Sequence, residues 1–234
     1  MAVKRVYLNI TNKCNRNCPF CCMWSGPLND LAWTPAQYTQ VLQEQQEVGK
    51  LFNLHLLGGE PLTHPNFIAF VEEACQCSLV ASIVVTTNGV LLSQFIDTLY
   101  CLRAQYKKQI VINVSINYYL LSKDPELLTR LKFFSTEYPV NSFWLLCLAI
   151  RHRIPKALED SWLPQLEEAA YYGWAQHTLP LEFTGRAQLT RPAGVVVVKP
   201  HLLENIVVYT SDGEYYDTDF SHCKQHERSI SNYN

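Results

Sequence analysis

The chain has 234 residues, 48% of them hydrophobic and 17% charged, with a formal net charge of −2. That length fits one domain, or one domain with an appendage, and can bury a sizeable core; the balanced charge advertises neither a nucleic-acid surface nor an acidic disordered tail. The longest apolar runs, such as VNSFWLLCLAI, are too short to span a bilayer, and MAVKRVYLNITNKC has neither the apolar core nor the cleavage pattern of a signal peptide. Nine cysteines without an export signal point to the reducing cytoplasm.

The first predicted strand is RVYLNI (5–10), followed by a cysteine-rich loop. Thr34 is a helix N-cap with Pro35 in the first turn, and Tyr38, Val41, Leu42 and Val48 keep helical spacing behind it. FNLHLL (52–57) is a strand ended by Gly58-Gly59. Pro65 opens a second helix whose Phe67, Phe70, Val71, Ala74 and Cys75 share a face. SIVVTT (82–87) is a strand stopped by Asn88-Gly89, followed by a helix over 93–105. IVINVSI (110–116), a helix over 124–134, FWLLCLAI (143–150), a helix near 161–172 and HTLPLEF (177–183) complete the series.

Six strands alternating with five helices imply parallel strands joined by right-handed crossovers. The runs read as apolar on both faces, as in a helix-covered sheet. Periodicity alone does not separate an open partial barrel from a doubly wound sheet. Beyond the series, TRPAG (190–194) reads as a linker and ENIVVYTSDGEYYDTDF (204–220) as a β-hairpin turning at Asp212-Gly213. The expected organisation is a core over 1–187 and a short extension over 188–234. Cys75, Cys77, Cys101 and Cys147 lie in apolar segments and are expected to be buried small hydrophobes.

The unusual residues fall after the strands: the cysteines, Gly58-Gly59-Glu60-Pro61, Thr87-Asn88-Gly89, Ser115 and Asn117, Arg151-His152-Arg153, and Gly185-Arg186-Ala187. In parallel α/β sheets the carboxyl ends of the strands form the functional rim. Cys14, Cys18 and Cys21 are three thiols within eight residues. A structural zinc site wants a fourth ligand. Cys22 adjoins Cys21 and is a poor fourth, and the tail residues His222, Cys223 and His226 are a remote one. A cuboidal iron–sulfur cluster held by three thiolates leaves one iron open, and an open position is what a catalytic metal needs.

Cys14-x3-Cys18-x2-Cys21, with aromatic Phe20 before the last cysteine, resembles the signature of radical S-adenosylmethionine (radical SAM) enzymes. Gly58-Gly59-Glu60-Pro61 resembles the family's GGEP motif, Thr87-Asn88-Gly89 a common third-strand ending, and Ser115-x-Asn117 the ribose-contacting end of the fourth strand. The likeness runs over roughly residues 5 to 187. It implies an α/β fold, a partial (β/α)6 TIM-like barrel with a short C-terminal hairpin. It implies one [4Fe-4S] cluster on Cys14, Cys18 and Cys21, and S-adenosylmethionine bound near Phe20, Gly58, Gly59, Glu60, Thr87, Asn88, Ser115 and Asn117. Arg151 or Arg153 is expected to pair the methionine carboxylate, and Glu60 to accept from its ammonium. The implied reaction is reductive cleavage to methionine and a 5′-deoxyadenosyl radical, which abstracts a hydrogen atom from substrate. No acid or base is assigned.

Gly185-Arg186-Ala187 and the surroundings of Cys14 resemble the branch that modifies ribosomally made peptides. That branch often carries a cysteine-rich C-terminal extension, whereas only Cys223 follows Ala187 here, so no complete auxiliary cluster is expected. The expected substrate is a precursor peptide presented by a separate leader-recognition protein, as in a splicease-like arrangement, with ferredoxin or flavodoxin as electron donor. No nucleic acid or membrane partner is expected. Tyr171, Tyr172, Trp174, Tyr215 and Tyr216 are read as core or hairpin packing. One alternative is a small-molecule enzyme such as a 7-carboxy-7-deazaguanine synthase. Another is a non-catalytic, zinc-stabilised binding protein.

Overall fold

A computed structural model describes residues 3–139, 141, 144–151, 175–179, 206–211 and 215–216. The chain divides into two compact units, Met1–Ile83 with Glu182–Asn234, and Val84–Leu181. The expected boundary at 187/188, the helix near 161–172, the linker, Arg153, Gly185-Arg186-Ala187 and the His222–His226 cluster lie outside the described residues.

The strands are β1 (Lys4–Asn9), β2 (Phe52–Leu57), β3 (Val80–Thr87), β4 (Gln109–Ile116), β5 (Trp144–Arg151), β6 (Ala175–Leu179), β7 (Ile206–Tyr209) and β8 (Tyr215–Tyr216). The helices are α1 (Pro35–Glu47), α2 (Phe67–Gln76), α3 (Ile96–Tyr106), α4 (Tyr118–Lys123) and α5 (Leu127–Glu137). The strand order is β6-β5-β4-β3-β2-β1-β7-β8. Strands one to six follow one another without the reversal of a doubly wound sheet. The fold is therefore α/β, with the strand order of a partial (β/α)6 barrel.

Helix α1 starts where its local signals put it. The Thr34 hydroxyl accepts from the Gln37 N–H, and the Gln37 side chain closes a capping box. Tyr38, Val41 and Leu42 are buried as the spacing requires. Val48 is not: it caps the helix and is half exposed, while Gln45 fills the inward position. The expected face of α2 is buried throughout. The helix expected over 124–134 is α5, which starts three residues later, at Leu127; Asp124 is the non-helical C-cap of α4, a short helix before it that was not expected.

The strands are not apolar on both faces. In β2, Phe52, Leu54 and Leu56 are buried while Asn53, His55 and Leu57 are only partly so; β4 alternates in the same way. Helix α1 covers the face of β1 that carries Lys4, whose Nζ donates to Gln45 Oε1 at 2.7 Å. On the opposite face the β1–β2 register sets Tyr7 beside His55, and their rings stack at 4.2 Å. Burial, with the Arg5 charge, pushes the His55 pKa down to about 4. That imidazole is neutral at physiological pH.

The expected hairpin is present: Val208 faces Tyr216 and Tyr209 faces Tyr215 in antiparallel pairing. It also joins the sheet, since β7 pairs in parallel with β1. Cys75, Cys77 and Cys147 are buried, and burial raises the Cys147 thiol pKa. Cys101 departs from the expectation: it lies on the exposed side of α3, where Leu99 and Leu102 take the inward positions. Among the described residues no helix is long and apolar enough to cross a membrane.

Candidate functional site

Past β1 the backbone of residues 10–13 runs between two neighbouring segments. On one side the Ile10 N–H donates to Leu57 O at 2.9 Å, Gly59 N–H to Thr11 O at 2.7 Å, and Glu60 N–H to Lys13 O at 2.9 Å. On the other, Asn12 N–H donates to Leu31 O at 3.0 Å and Trp33 N–H to Ile10 O at 2.9 Å. Side chains reinforce the strip. Thr11 Oγ1 donates to Leu31 O, and Asn12 Oδ1 accepts from Leu31 N–H, each at 2.9 Å. The cysteine loop thus leaves a strip held on both sides.

This geometry explains the glycine pair. A Cβ on Gly58 would lie 2.5 Å from Thr11 O, and one on Gly59 would strike Lys13 O and lie 2.8 Å from Asn12 O. The first thing a side chain would meet is the backbone that leads to Cys14, so the loop itself requires these glycines whatever binds there.

Cys14 is buried, and its N–H donates to Gly26 O at 3.1 Å. Its sulfur accepts the Arg16 N–H at 3.4 Å. Cys18 and Cys21 are half-buried and joined by a turn, with Cys21 N–H donating to Cys18 O at 3.2 Å; none of the three is in a disulfide. Phe20 is half-buried in the same turn. Trp24, which brings the loop back, is buried with left-handed backbone (φ 52°). A bulky residue holds that conformation only where its surroundings impose it.

Three thiols on one short loop, one of them accepting a backbone N–H, suit thiolate-bound iron and sulfide. Among the described residues no three His, Cys, Asp or Glu side chains gather as ligands of a single metal ion. A cuboidal cluster does not ask for that convergence, because it places each thiolate on a different iron.

Glu60 is fully buried, and its Oε1 accepts the Leu62 N–H at 3.1 Å, capping the 3-10 turn Pro61–Thr63. At least one carboxylate oxygen therefore holds local structure, the role of a helix-start acid. In the other unit the pattern recurs. Thr87 Oγ1 accepts from Gly89 N–H at 3.0 Å, Asn88 Oδ1 from Val90 N–H at 3.0 Å, and Asn117 Oδ1 from Leu120 N–H at 2.9 Å as the α4 N-cap. Each caps the turn that follows its strand. Ser115 is half-buried on β4, on the same face as Asn113. Arg151 ends β5 opposite Leu179.

Two residues beside the strip, Trp33 and His64, escaped the motif reading. Trp33 Nε1–H donates to Thr210 O at 2.7 Å. His64 accepts the Asn66 N–H at Nδ1, so the ring proton sits on Nε2 and points to Trp33 O at 2.9 Å. Burial lowers the His64 pKa, opposed by that carbonyl. Only Pro65-Asn66 after His64 and the N-cap after Trp33 marked this region in the sequence, and neither signals a partner.

The family model of the radical SAM superfamily matches residues 8–132, more than half of the chain. A GTP 3',8-cyclase from Thermodesulfovibrio yellowstonii is 29% identical over 113 residues, covering 47% of this chain and 34% of that protein. The PqqA peptide cyclase of Gluconobacter oxydans is 33% identical over 89 residues, 36% of this chain and 23% of that one. The chain thus matches about a third or less of the length of these relatives. The solved structure of Streptococcus suis SuiB bound to precursor peptide SuiA shares the fold, with a TM-score of 0.54 at 15% identity over 77% of this chain and 40% of that one. The matched region begins just before the Cys14 loop and takes in the Gly58-Gly59-Glu60 segment that grips its lead-in, so the chain belongs to the radical SAM superfamily.

Proposed function

We propose that this protein is an S-adenosylmethionine-dependent enzyme that acts on a ribosomally made precursor peptide. The observation that carries the site reading is the hydrogen-bonded union of the Gly58-Gly59-Glu60 strip with the lead-in to Cys14. The peptide reading is supported by the likeness to the PqqA peptide cyclase and to the fold of SuiB.

Cys14, Cys18 and Cys21 are the proposed ligands of one [4Fe-4S] cluster. A cluster held by these thiolates would supply the electron for reductive cleavage of S-adenosylmethionine. The protein's part is to hold and to exclude. Gly58 and Gly59 fix the loop, and the buried Glu60 sets a carboxylate next to that strip for the methionine ammonium. Phe20, Thr87, Asn88, Ser115, Asn117, Arg151 and Arg153 are proposed cofactor contacts from the resemblance. Residues 1–187 make the core and 188–234 an extension. A separate protein presents the leader, and a low-potential ferredoxin or flavodoxin delivers the electron.

Anaerobic reconstitution is expected to give about four irons per chain. With strong reductant the protein should convert S-adenosylmethionine to methionine and 5′-deoxyadenosine. Stoichiometric zinc without cleavage would overturn the cluster reading, and about eight irons would overturn the single cluster. The likeness to GTP 3',8-cyclase favours a second reading, a nucleotide-like small molecule. The two separate by what accelerates 5′-deoxyadenosine formation: a precursor peptide that changes mass, or a nucleotide that is consumed.

A further inference from the structure

The segment 206–211 lies outside the residues matched by the family model, yet it meets Trp33, which borders the lead-in to the cysteine loop. β7 runs along β1 with Val208 opposite Tyr7 and Tyr209 opposite Leu8. Just past the strand, the carbonyl of fully buried Thr210 accepts the Trp33 indole N–H at 2.7 Å. The Tyr209 ring meets Trp33 edge-on, with centroids 6.1 Å apart, and its hydroxyl lies 2.9 Å from Gln45 Nε2 on α1. Trp33 is 2% exposed, and its backbone is engaged at both ends, N–H to Ile10 O and carbonyl to His64. Residues 31–33 are thus one wall of the strip that delivers Cys14, and the hairpin holds that wall.

We propose that Trp33 is a positioning residue whose indole N–H couples the C-terminal hairpin to the cluster loop, so that retention of the cluster depends on residues 206–211. The proposal rests on Cys14, Cys18 and Cys21 being cluster ligands. Trp33→Phe keeps an aromatic ring in place and removes the donor to the buried Thr210 carbonyl. Tyr38→Phe is the matched control. Its hydroxyl is equally buried in the same unit, but donates to Phe70 O at 2.7 Å and so ties α1 to α2.

The test uses the full chain with two readouts. The first is hydrogen exchange of the metal-free protein at the amides of Asn12, Trp33, Gly59 and Glu60. The second is the rate at which the reconstituted cluster is lost to an iron chelator, followed by the electron paramagnetic resonance of its reduced form. Trp33→Phe is expected to speed both about tenfold, the factor that one lost buried hydrogen bond carries. Tyr38→Phe should leave both within about twofold of the parent at a comparable fall in unfolding midpoint. Equal losses in the two variants would make Trp33 an ordinary stabilising residue and overturn the proposal, as would a Trp33→Phe chain that matches the parent. If the parent itself takes up no iron, the cluster reading fails, and the exchange measurement alone still decides whether Trp33 holds the strip.

Discussion

Gly58-Gly59 after β2 and Asn88-Gly89 after β3 stand at corresponding places in successive βα units, and glycine is required at each for a different reason. At Gly58 and Gly59 the obstacle to a side chain is backbone, the carbonyls of Thr11 and Lys13. At Gly89 it is first conformational, a φ of +76°, and then a contact with a Val114 methyl at 2.8 Å. A methyl can move by a rotamer change; a backbone carbonyl engaged in hydrogen bonds cannot. One glycine-bearing turn is therefore part of the cysteine loop's own packing, while the other is a turn held by Thr87 and Asn88. The same residue type at the same topological position does not carry the same function.

The largest expected effect breaks that comparison most directly. Gly59→Ala must displace the Lys13 carbonyl that accepts from Glu60 N–H, and should cost about 3 kcal/mol in denaturant unfolding. It should also abolish iron uptake on reconstitution; normal iron content would show that the strip tolerates movement. Acidification sharpens the comparison from the β1–β2 side. In the folded chain His55 stays neutral down to about 4 against an ordinary 6.5. The unfolded chain binds that proton first, so stability should fall as pH drops from 6.5 to 4, by up to about 3 kcal/mol. His55→Gln should flatten the stability–pH profile over that window, and an unchanged slope would place the titration elsewhere.

Gly89→Ala should cost about 1–2 kcal/mol for its left-handed backbone and leave iron content at the parent level. Loss of iron in this variant would erase the distinction between the two turns. The smallest structural change, Glu60→Gln, keeps an acceptor for Leu62 N–H and removes the charge. Unfolding should shift by less than about 1 kcal/mol, while S-adenosylmethionine affinity measured by equilibrium binding falls about tenfold. Equal affinity would leave Glu60 with only its capping role.

Much of the molecule was readable one segment at a time. FNLHLL is the β2 strand with its expected ends, and Thr34-Pro35 opens α1 as its capping box requires. Such signals lie within a few residues of the structure they specify. Cys101 and Val48 were misread for a related reason: an apolar residue near a helical stripe looks inward until neighbouring side chains take the space. The motifs singled out residues at the strand ends but not their local work. Glu60, Thr87, Asn88 and Asn117 all hold turns, because a short polar side chain at a strand end is well placed to reach the next backbone N–H.

By itself the sequence determined most of the described strands and helices, the three thiols of the cysteine loop and the family, since β-branched runs, caps and motif spacing are local. Only the tertiary structure decided that the strands follow in unbroken order and that β7 lies beside β1. It alone showed that Gly58-Gly59 abuts Thr11–Lys13 and that Trp33 meets Thr210 across 177 positions of chain. Contacts at such separation leave no periodic trace; they arise from which surfaces must be buried together once the local elements exist.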